Sequence, residues 1–444
     1  MPEAFAIFHP MHYLRHARNH IPLQLKLRSS GSNLSGDILI PASKSHTIRA
    51  VAIAAVAEGA STLRNPLMSD DAQSAVNGAR EMGAEVELGD VWIIRGTGGA
   101  PARKCKFIDV GNSGTSLRIL TALCSLGENP VTFDGDKSIR QRPMTPLLSA
   151  LEQLGARIIK SAGGKCPFTL QGPIQGGFTT VNGISSQFLT ALLIACPLAP
   201  LDTEITVESL NERPYVEITL DWLRKMGIRF EQRGLDWFRI YGSQKYKAFE
   251  RQIPADFSSA TFPLCAAAIT GSEILIRGLD FNDHQGDKAV FSYFEKMGML
   301  VKHLPDGVQV SGGKLKGIDI DMNSTPDALP AMAVAACFAE GTTRLLNVPQ
   351  ARLKECDRIA ASANELRKMG AKIEELEDGL VIHHSALTGC DVHGYDDHRM
   401  VMSLAIAGMA AQGKTTVDTA ESAGVTYPTF VTDMQKIGAK LEIM

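Results

Sequence analysis

One phrase occurs six times along this chain: AREMGAEV, LEQLGARI, LRKMGIRF, FEKMGMLV, LRKMGAKI and MQKIGAKL. Its glycines, Gly83, Gly155, Gly227, Gly298, Gly370 and Gly438, follow one another at intervals of 72, 72, 71, 72 and 68 residues. Each copy reads as the end of an amphipathic helix, a glycine where positive φ costs little, and an alternating strand such as AKIEEL. Solenoid repeats run to about 20–50 residues. A longer period requires a compact unit with its own strands and helices, and a βαβαββ pattern fits it.

A second helix recurs within each unit, seen in AVAIAAVAEG, LTALCSLGE, QFLTALLIAC, FPLCAAAITG, PAMAVAACFAEG and VMSLAIAGMAAQG. These segments are apolar nearly all round, so each must be enclosed by other elements. Several lead through glycine into a strand rich in Thr, Ile or Leu, as in GTTRLL and GSEILI. The expectation is an α/β (α+β) chain of two similar domains, each of three βαβαββ units around buried helices. The polar segment KYKAFERQIPAD, 245–256, falls between the third and fourth units and reads as the crossover.

Composition narrows the function classes. Charged residues make up 21% of the chain and the formal net charge is -3, so no global basic field draws in nucleic acid, and any anion site is local. No uninterrupted apolar run reaches the roughly 18 residues of a membrane span. Eight cysteines are scattered without a CxxC pair, several inside apolar runs, which points to reduced core thiols and a cytoplasmic protein. No HExxH, GxSxG or paired Cys/His set occurs, so neither a metal nor a cofactor is expected. Residues 1–22 are basic but lack the apolar stretch of a signal peptide and read as an N-terminal extension.

The starts of the six apolar helices carry the chemistry. They read SKSHTIR, GNSGTSLR, SSQFLT, DFSSAT, PDALPA and YDDHRM, at 43, 111, 185, 256, 326 and 395. Ser, Asn and Asp are ordinary helix caps, and capping alone accounts for any one of them. Capping does not explain Lys44, Arg49, Arg118 and Arg399 beside the caps, or Arg142 and Arg358 in nearby polar loops. A helix N-terminus is already electropositive, so cations gathered there imply anions brought by a ligand. The first three starts are Ser-, Lys- and Arg-rich, whereas the last three bring Asp256, Asp327 and Asp396/Asp397, which can serve as bases. GMAAQGKT, 408–415, matches the phosphate-loop pattern, but a helix precedes it and a strand follows, the reverse of what that loop requires.

These motifs, with RQRPM, ERPYVEIT, RLKECDR and PASKSHTIRA in the same order, resemble the enolpyruvyl transferase family from about Gly36 to near the C-terminus. The resemblance implies two domains of inverse α/β barrel type with the active-site cleft between them. The division expected is 43–253 for the first domain and 23–42 plus 254–444 for the second. Within the family, the motifs are similar to those of the branch that moves the enolpyruvyl group of phosphoenolpyruvate to the 5-hydroxyl of shikimate 3-phosphate. That implies two small-molecule substrates, a monomer, no nucleic acid and no membrane. By the same resemblance Lys44, Asp327 and Glu355 are the catalytic groups. Ser45, Arg49, Ser185, Ser186, Gln187, Gln350 and Lys354 contact shikimate 3-phosphate, while Lys44, Gly114, Arg142, Gln187, Arg358 and Arg399 contact phosphoenolpyruvate. The sister enzymes acting on UDP-N-acetylglucosamine carry a loop cysteine before an Arg-Pro pair, and DGDKSIRQRPM has none. Three departures stand out: Val425 where a phosphate-binding Lys is common, Glu212 where a Ser is common, and Ala42 in place of the usual Gly. They leave two alternatives in play, transfer to a different phosphorylated alcohol and non-catalytic binding of a phospho-ligand.

Overall fold

The computed structural model describes residues 24–101, 105–161 and 163–444; the extension expected at 1–22 lies outside them. The second repeat shows the unit. Strand Phe107–Asp109 leads into the buried helix Gly114–Cys124 and the strand Val131–Asp134, which lies parallel to the first. The amphipathic helix Thr145–Gln153 follows, then strands Arg157–Ser161 and Phe168–Gln171, the latter pairing antiparallel with both Val131–Asp134 and Arg157–Ser161. The described residues form six four-stranded sheets with this one order. All six repeat glycines hold positive φ at the ends of their helices, as the sequence requires.

The six units are not contiguous. Leu27–Ser30 inserts between Lys414–Val417 and Lys440–Ile443 and completes the sixth sheet, and Asp37–Leu39 completes the fourth beside Glu273–Arg277. Glu250–Gln252 completes the first, parallel to Thr62–Arg64. The segment 245–256 is therefore more than a crossover, because its middle is a sheet strand and Tyr246 is buried. Each of these three sheets would otherwise leave backbone groups unpaired, and the chain fills them by passing between its halves twice. The two passages run side by side: Ser43 N–H donates to Pro254 O at 2.7 Å and Asp256 N–H to Pro41 O at 2.9 Å.

Buried apolar side chains form two clusters, one from residues between Ala42 and Ile253, the other from Leu27 to Ile40 and Ala255 to Leu441. At the centre of the first lie the helices Lys44–Val56, Gly114–Cys124 and Ser186–Ala195. The second is built on Phe257–Thr270, Leu329–Phe338 and His398–Ala410. Burying each large aliphatic side chain in them stabilises by about 1.5–3 kcal/mol. Among the described residues no helix is long and apolar enough to cross a membrane.

Candidate active site

The three first-half helices begin alike. Ser43, Ser113 and Ser185 cap them, accepting from His46, Ser116 and Gln187 N–H, and no acidic residue occupies a first turn. The positive helix ends are thus left without a side-chain counter-charge of their own. Arg118 sits over the second, donating to Gly114 O and Pro143 O at 3.1 Å each. Gly114 leaves room for two guanidinium groups, since a Cβ there would lie 2.5 Å from Arg142 Nη1 and 2.7 Å from Arg118 Nη1 and would push them aside. Lys44 pairs with the buried Asp71 at 3.2 Å.

The second-half helices begin with carboxylates. Asp256 accepts from Ser258 N–H and Asp397 from Arg399 N–H, both as caps, while Asp327 stands in a short turn before Leu329–Phe338. Arg358 joins them: its guanidinium meets Asp397 at 2.8 Å, Asp327 at 2.9 Å and Glu355 at 2.5 Å. Asp327 also meets Arg399 at 3.0 Å and Lys354 at 3.6 Å. Burial works to raise the Asp327 pKa, but Arg399, Lys354 and Arg358 outweigh it and hold the carboxyl well below the usual range. Glu355 behaves alike: burial is overcome by Arg142 and Arg358, so it is ionised. Asp287 differs, because burial and the neighbouring Asp327 charge push it up to about 6. Burial likewise lowers His398 to about 3, leaving it neutral.

Several contacts join the halves. Arg142 reaches Glu355 at 3.1 Å, Ser138 Oγ donates to Glu355 O at 2.9 Å, and Lys354 pairs with Glu212. Tyr215 OH lies 3.0 Å from Asp287 and 3.3 Å from Asp327. His46 Nε2 meets Asp283 at 3.2 Å while its Nδ1 accepts from the Trp222 indole at 3.1 Å, which fixes the Nε2–H tautomer.

Of the residues expected from sequence, Lys44, Arg142, Asp327, Lys354, Glu355, Arg358 and Arg399 form one electrostatic network. Gln187, Ser185, Gln350 and Lys354 line a pocket of about 30 Å³ beside them, with Arg118 and Glu212. Gly114 adjoins it through Arg142 and Arg118, and Ser186 through Glu212. Arg49 stands apart from that network: its nitrogens donate to Thr219, Ser45 O, Tyr215 O and Thr190. Ser45 supplies that carbonyl and is itself half-buried. Sequence reasoning missed Asp71 and Asp287. SDDAQ at 69 reads only as a capped helix start, and nothing local shows that Asp71 becomes buried beside Lys44.

Arg118, Arg142 and Arg399 each keep a buried Nε–H with no protein acceptor, as Gln350 keeps an unmatched carbonyl. Buried donors of this kind ordinarily have partners, and Arg118 and Arg142 line the pocket, so these unmatched groups suit anionic ligands. Among the described residues no cluster of three or more His, Cys, Asp or Glu is arranged to hold a metal ion. The arrangement can bind two or more anionic groups and present ionised carboxylates to what they carry.

Comparisons with known proteins agree with this geometry. The family profile for EPSP synthase (3-phosphoshikimate 1-carboxyvinyltransferase) matches residues 29–434. A 3-phosphoshikimate 1-carboxyvinyltransferase of Acetivibrio thermocellus is 51% identical over 94% of this chain and 99% of its own length. One of Ruminiclostridium cellulolyticum is 49% identical over 94% of this chain and 100% of its own. The EPSP synthase structure from Acinetobacter baumannii superposes with a TM-score of 0.79 at 28% identity, covering 95% of this chain and 100% of that one. The chain belongs to the EPSP synthase (3-phosphoshikimate 1-carboxyvinyltransferase) family.

Proposed function

We infer that this chain transfers the enolpyruvyl group of phosphoenolpyruvate to the 5-hydroxyl of shikimate 3-phosphate and releases phosphate, the step before chorismate in aromatic amino acid biosynthesis. The observation that carries the reading is the buried network in which Asp327, Glu355, Arg358, Arg399, Lys354 and Arg142 converge from both halves of the molecule. Two substrates with two phosphates and two carboxylates need such a set of cations, and the addition needs groups that move protons.

In this reading Lys44, Arg142, Gly114, Gln187, Arg358 and Arg399 hold phosphoenolpyruvate, while Ser45, Arg49, Ser185, Ser186, Gln187, Gln350 and Lys354 hold the acceptor. Asp327 takes the 5-hydroxyl proton as that oxygen attacks C2 of phosphoenolpyruvate, and the methylene carbon gains a proton from Lys44, or from Glu355 once substrate anions have drawn Arg142 and Arg358 away and it has taken up a proton. The tetrahedral adduct then returns a methyl proton to Glu355 and expels phosphate, restoring the double bond. Substrate anions also supply the switch. Arg358, Arg399 and Lys354 hold the Asp327 pKa down in the free protein, and each cation drawn to a substrate leaves Asp327 more basic.

The division into domains 43–253 and 23–42 plus 254–444 is part of the proposal, supported by the two buried clusters, as are a monomeric state and a cytoplasmic location, the latter supported by eight free cysteines. Phosphate release tests the function. It should require both substrates and vanish in Asp327→Ala; a folded, saturated protein that releases none sinks the reading.

A further inference from the structure

Glu212 has no place in the chemistry above, yet it occupies a position that chemistry needs. It stands at the start of the helix Arg213–Lys225 with φ of 56°, the left-handed region, and its side chain makes no cap there. Instead it reaches to the neighbouring helix start. One carboxylate oxygen accepts from Ser186 N–H at 3.2 Å and Ser186 Oγ at 2.8 Å, and the other pairs with Lys354 from the opposite half. Its own N–H donates across the cleft to Asn323 Oδ1 at 3.4 Å. The residue is 2% exposed.

We propose that Glu212 is the resident anion of the site that takes the acceptor's phosphate, so that the acceptor binds by displacing this carboxylate. The proposal rests on the functional reading given above. A helix N–H, a hydroxyl and an ammonium group converging on one point are the donor set of a phosphate site. Independent of them, Arg118 lines the same pocket, is 4% exposed, and keeps an Nε–H with no protein acceptor. That guanidinium is one donor more than Glu212 satisfies.

The donors exclude joint occupancy, because Ser186 N–H, Ser186 Oγ and the Lys354 ammonium group are already engaged by the carboxylate. A second anion beside Glu212 would also meet direct charge repulsion. Entry of the phosphate therefore requires Glu212 to leave Ser186 and Lys354. Two consequences follow. The acceptor's affinity is held below what the bare donors would give, and the free protein has its own ionic link between the halves where an open site would wait for the substrate. Lys354 shows how well the carboxylate substitutes: burial acts to lower its pKa, but Glu212 and Asp327 more than offset that.

A purely structural salt bridge predicts that removing Glu212 harms or leaves unchanged every kinetic constant. Displacement predicts a split. In Glu212→Gln, which keeps size and loses charge, and in Glu212→Ser, which opens the pocket, the acceptor's dissociation constant and KM should fall about tenfold or more. KM for phosphoenolpyruvate should move less than about twofold in both, since Glu212 bonds to none of its proposed contacts, only to Ser186, Lys354 and Asn323. The measurement is calorimetric titration with shikimate 3-phosphate alone, followed by steady-state kinetics with both substrates; either folded variant suffices. Acceptor affinity unchanged or weakened, with turnover retained, overturns the proposal and leaves the function standing. No turnover by the unmodified protein with these substrates overturns the functional reading and the proposal together.

Discussion

The two halves of the cleft treat buried arginine in opposite ways. Arg49 and Arg118 in the first half are 2% and 4% exposed, and Arg358 and Arg399 in the second are 1% and 3% exposed, so burial does not distinguish them. Their partners do. Among the described residues no carboxylate lies within ion-pair distance of Arg49 or Arg118, whose nitrogens meet only hydroxyls and carbonyls. Burial accordingly lowers them, Arg49 to about 10 and Arg118 to about 9. At Arg358 and Arg399 burial acts in the same direction but is outweighed by carboxylates, Asp397 first for Arg358 and Asp327 for Arg399, and both are raised. Arg49 and Arg118 carry charge that only a ligand can neutralise, whereas Arg358 and Arg399 arrive neutralised; Lys44 and Arg142, also of the first half, already have Asp71 and Glu355. An anionic substrate therefore gains most from Arg49 and Arg118, and its entry beside the others must exchange one ion pair for another.

The comparison breaks most visibly at Asp327, where second-half neutralisation and the proposed base share one carboxylate. Asp327→Asn should lower single-turnover phosphate release by about a hundredfold to ten-thousandfold, the usual worth of a general base. Substrate affinity should be kept or improved, because Arg399 and Lys354 are then released to bind anions. Release within tenfold of the unmodified rate would assign the base elsewhere.

A pair of substitutions sharpens the contrast in stability. Arg358→Met strands Asp397, Asp327 and Glu355 without their shared cation and should cost about 3–5 kcal/mol in urea unfolding. Arg118→Met strands no carboxylate and gives up only a guanidinium placed over the Phe188 ring and bonded to two carbonyls, so the cost should stay below about 2 kcal/mol while ligand affinity falls. Equal costs at the two sites would mean that the counter-ions do not matter.

Asp287 gives the same contrast a pH dependence. Its carboxyl is raised to about 6, so between the ordinary carboxylate value and 6 the folded chain holds a proton that the unfolded chain has lost. Stability from this group falls as pH rises through that window, and the penalty is complete above it. Asp287→Asn should therefore match the unmodified protein near pH 4 and exceed it by about 1–3 kcal/mol at pH 8. A difference independent of pH would mean that Asp287 is ionised throughout.

How much of this was legible in the sequence follows from the range of each interaction. Gly83 and its five successors mark helix ends because positive φ is a local demand, so the unit repeat could be read directly. The exchange of Leu27–Ser30, Asp37–Leu39 and Glu250–Gln252 between units could not, since a short strand carries no local mark of which sheet it joins. The cations at the helix starts were visible because they violate a local preference. Asp71, Asp287 and the reach of Glu212 were not, because their burial is created by chain segments far away in sequence. GMAAQGKT was resolved correctly by order alone: its helix ends at Ala410 and a strand begins at Lys414.

The smallest expected effect asks whether a cation supplied from the second half can serve the first-half helix start. Val425 ends the turn Ala420–Val425, is buried, and that turn packs against the helix Asp70–Met82, which carries Asp71. Burial raises the Asp71 carboxyl and Lys44 only partly restores it, so this corner has a carboxylate short of positive charge. Val425→Lys would supply that charge beside the Lys44 helix start, where phosphoenolpyruvate is proposed to bind. A new charge-assisted contact is worth about 1.5–3 kcal/mol before the lysine's own desolvation is deducted. Most of that gain should be cancelled, leaving KM for phosphoenolpyruvate about two- to fivefold lower with the acceptor's KM unchanged. Steady-state kinetics at saturating acceptor decides it. An unchanged or higher KM for phosphoenolpyruvate would mean that Asp71 captures the new ammonium group for itself, and that this corner of the first half is neutralised in the manner of the second.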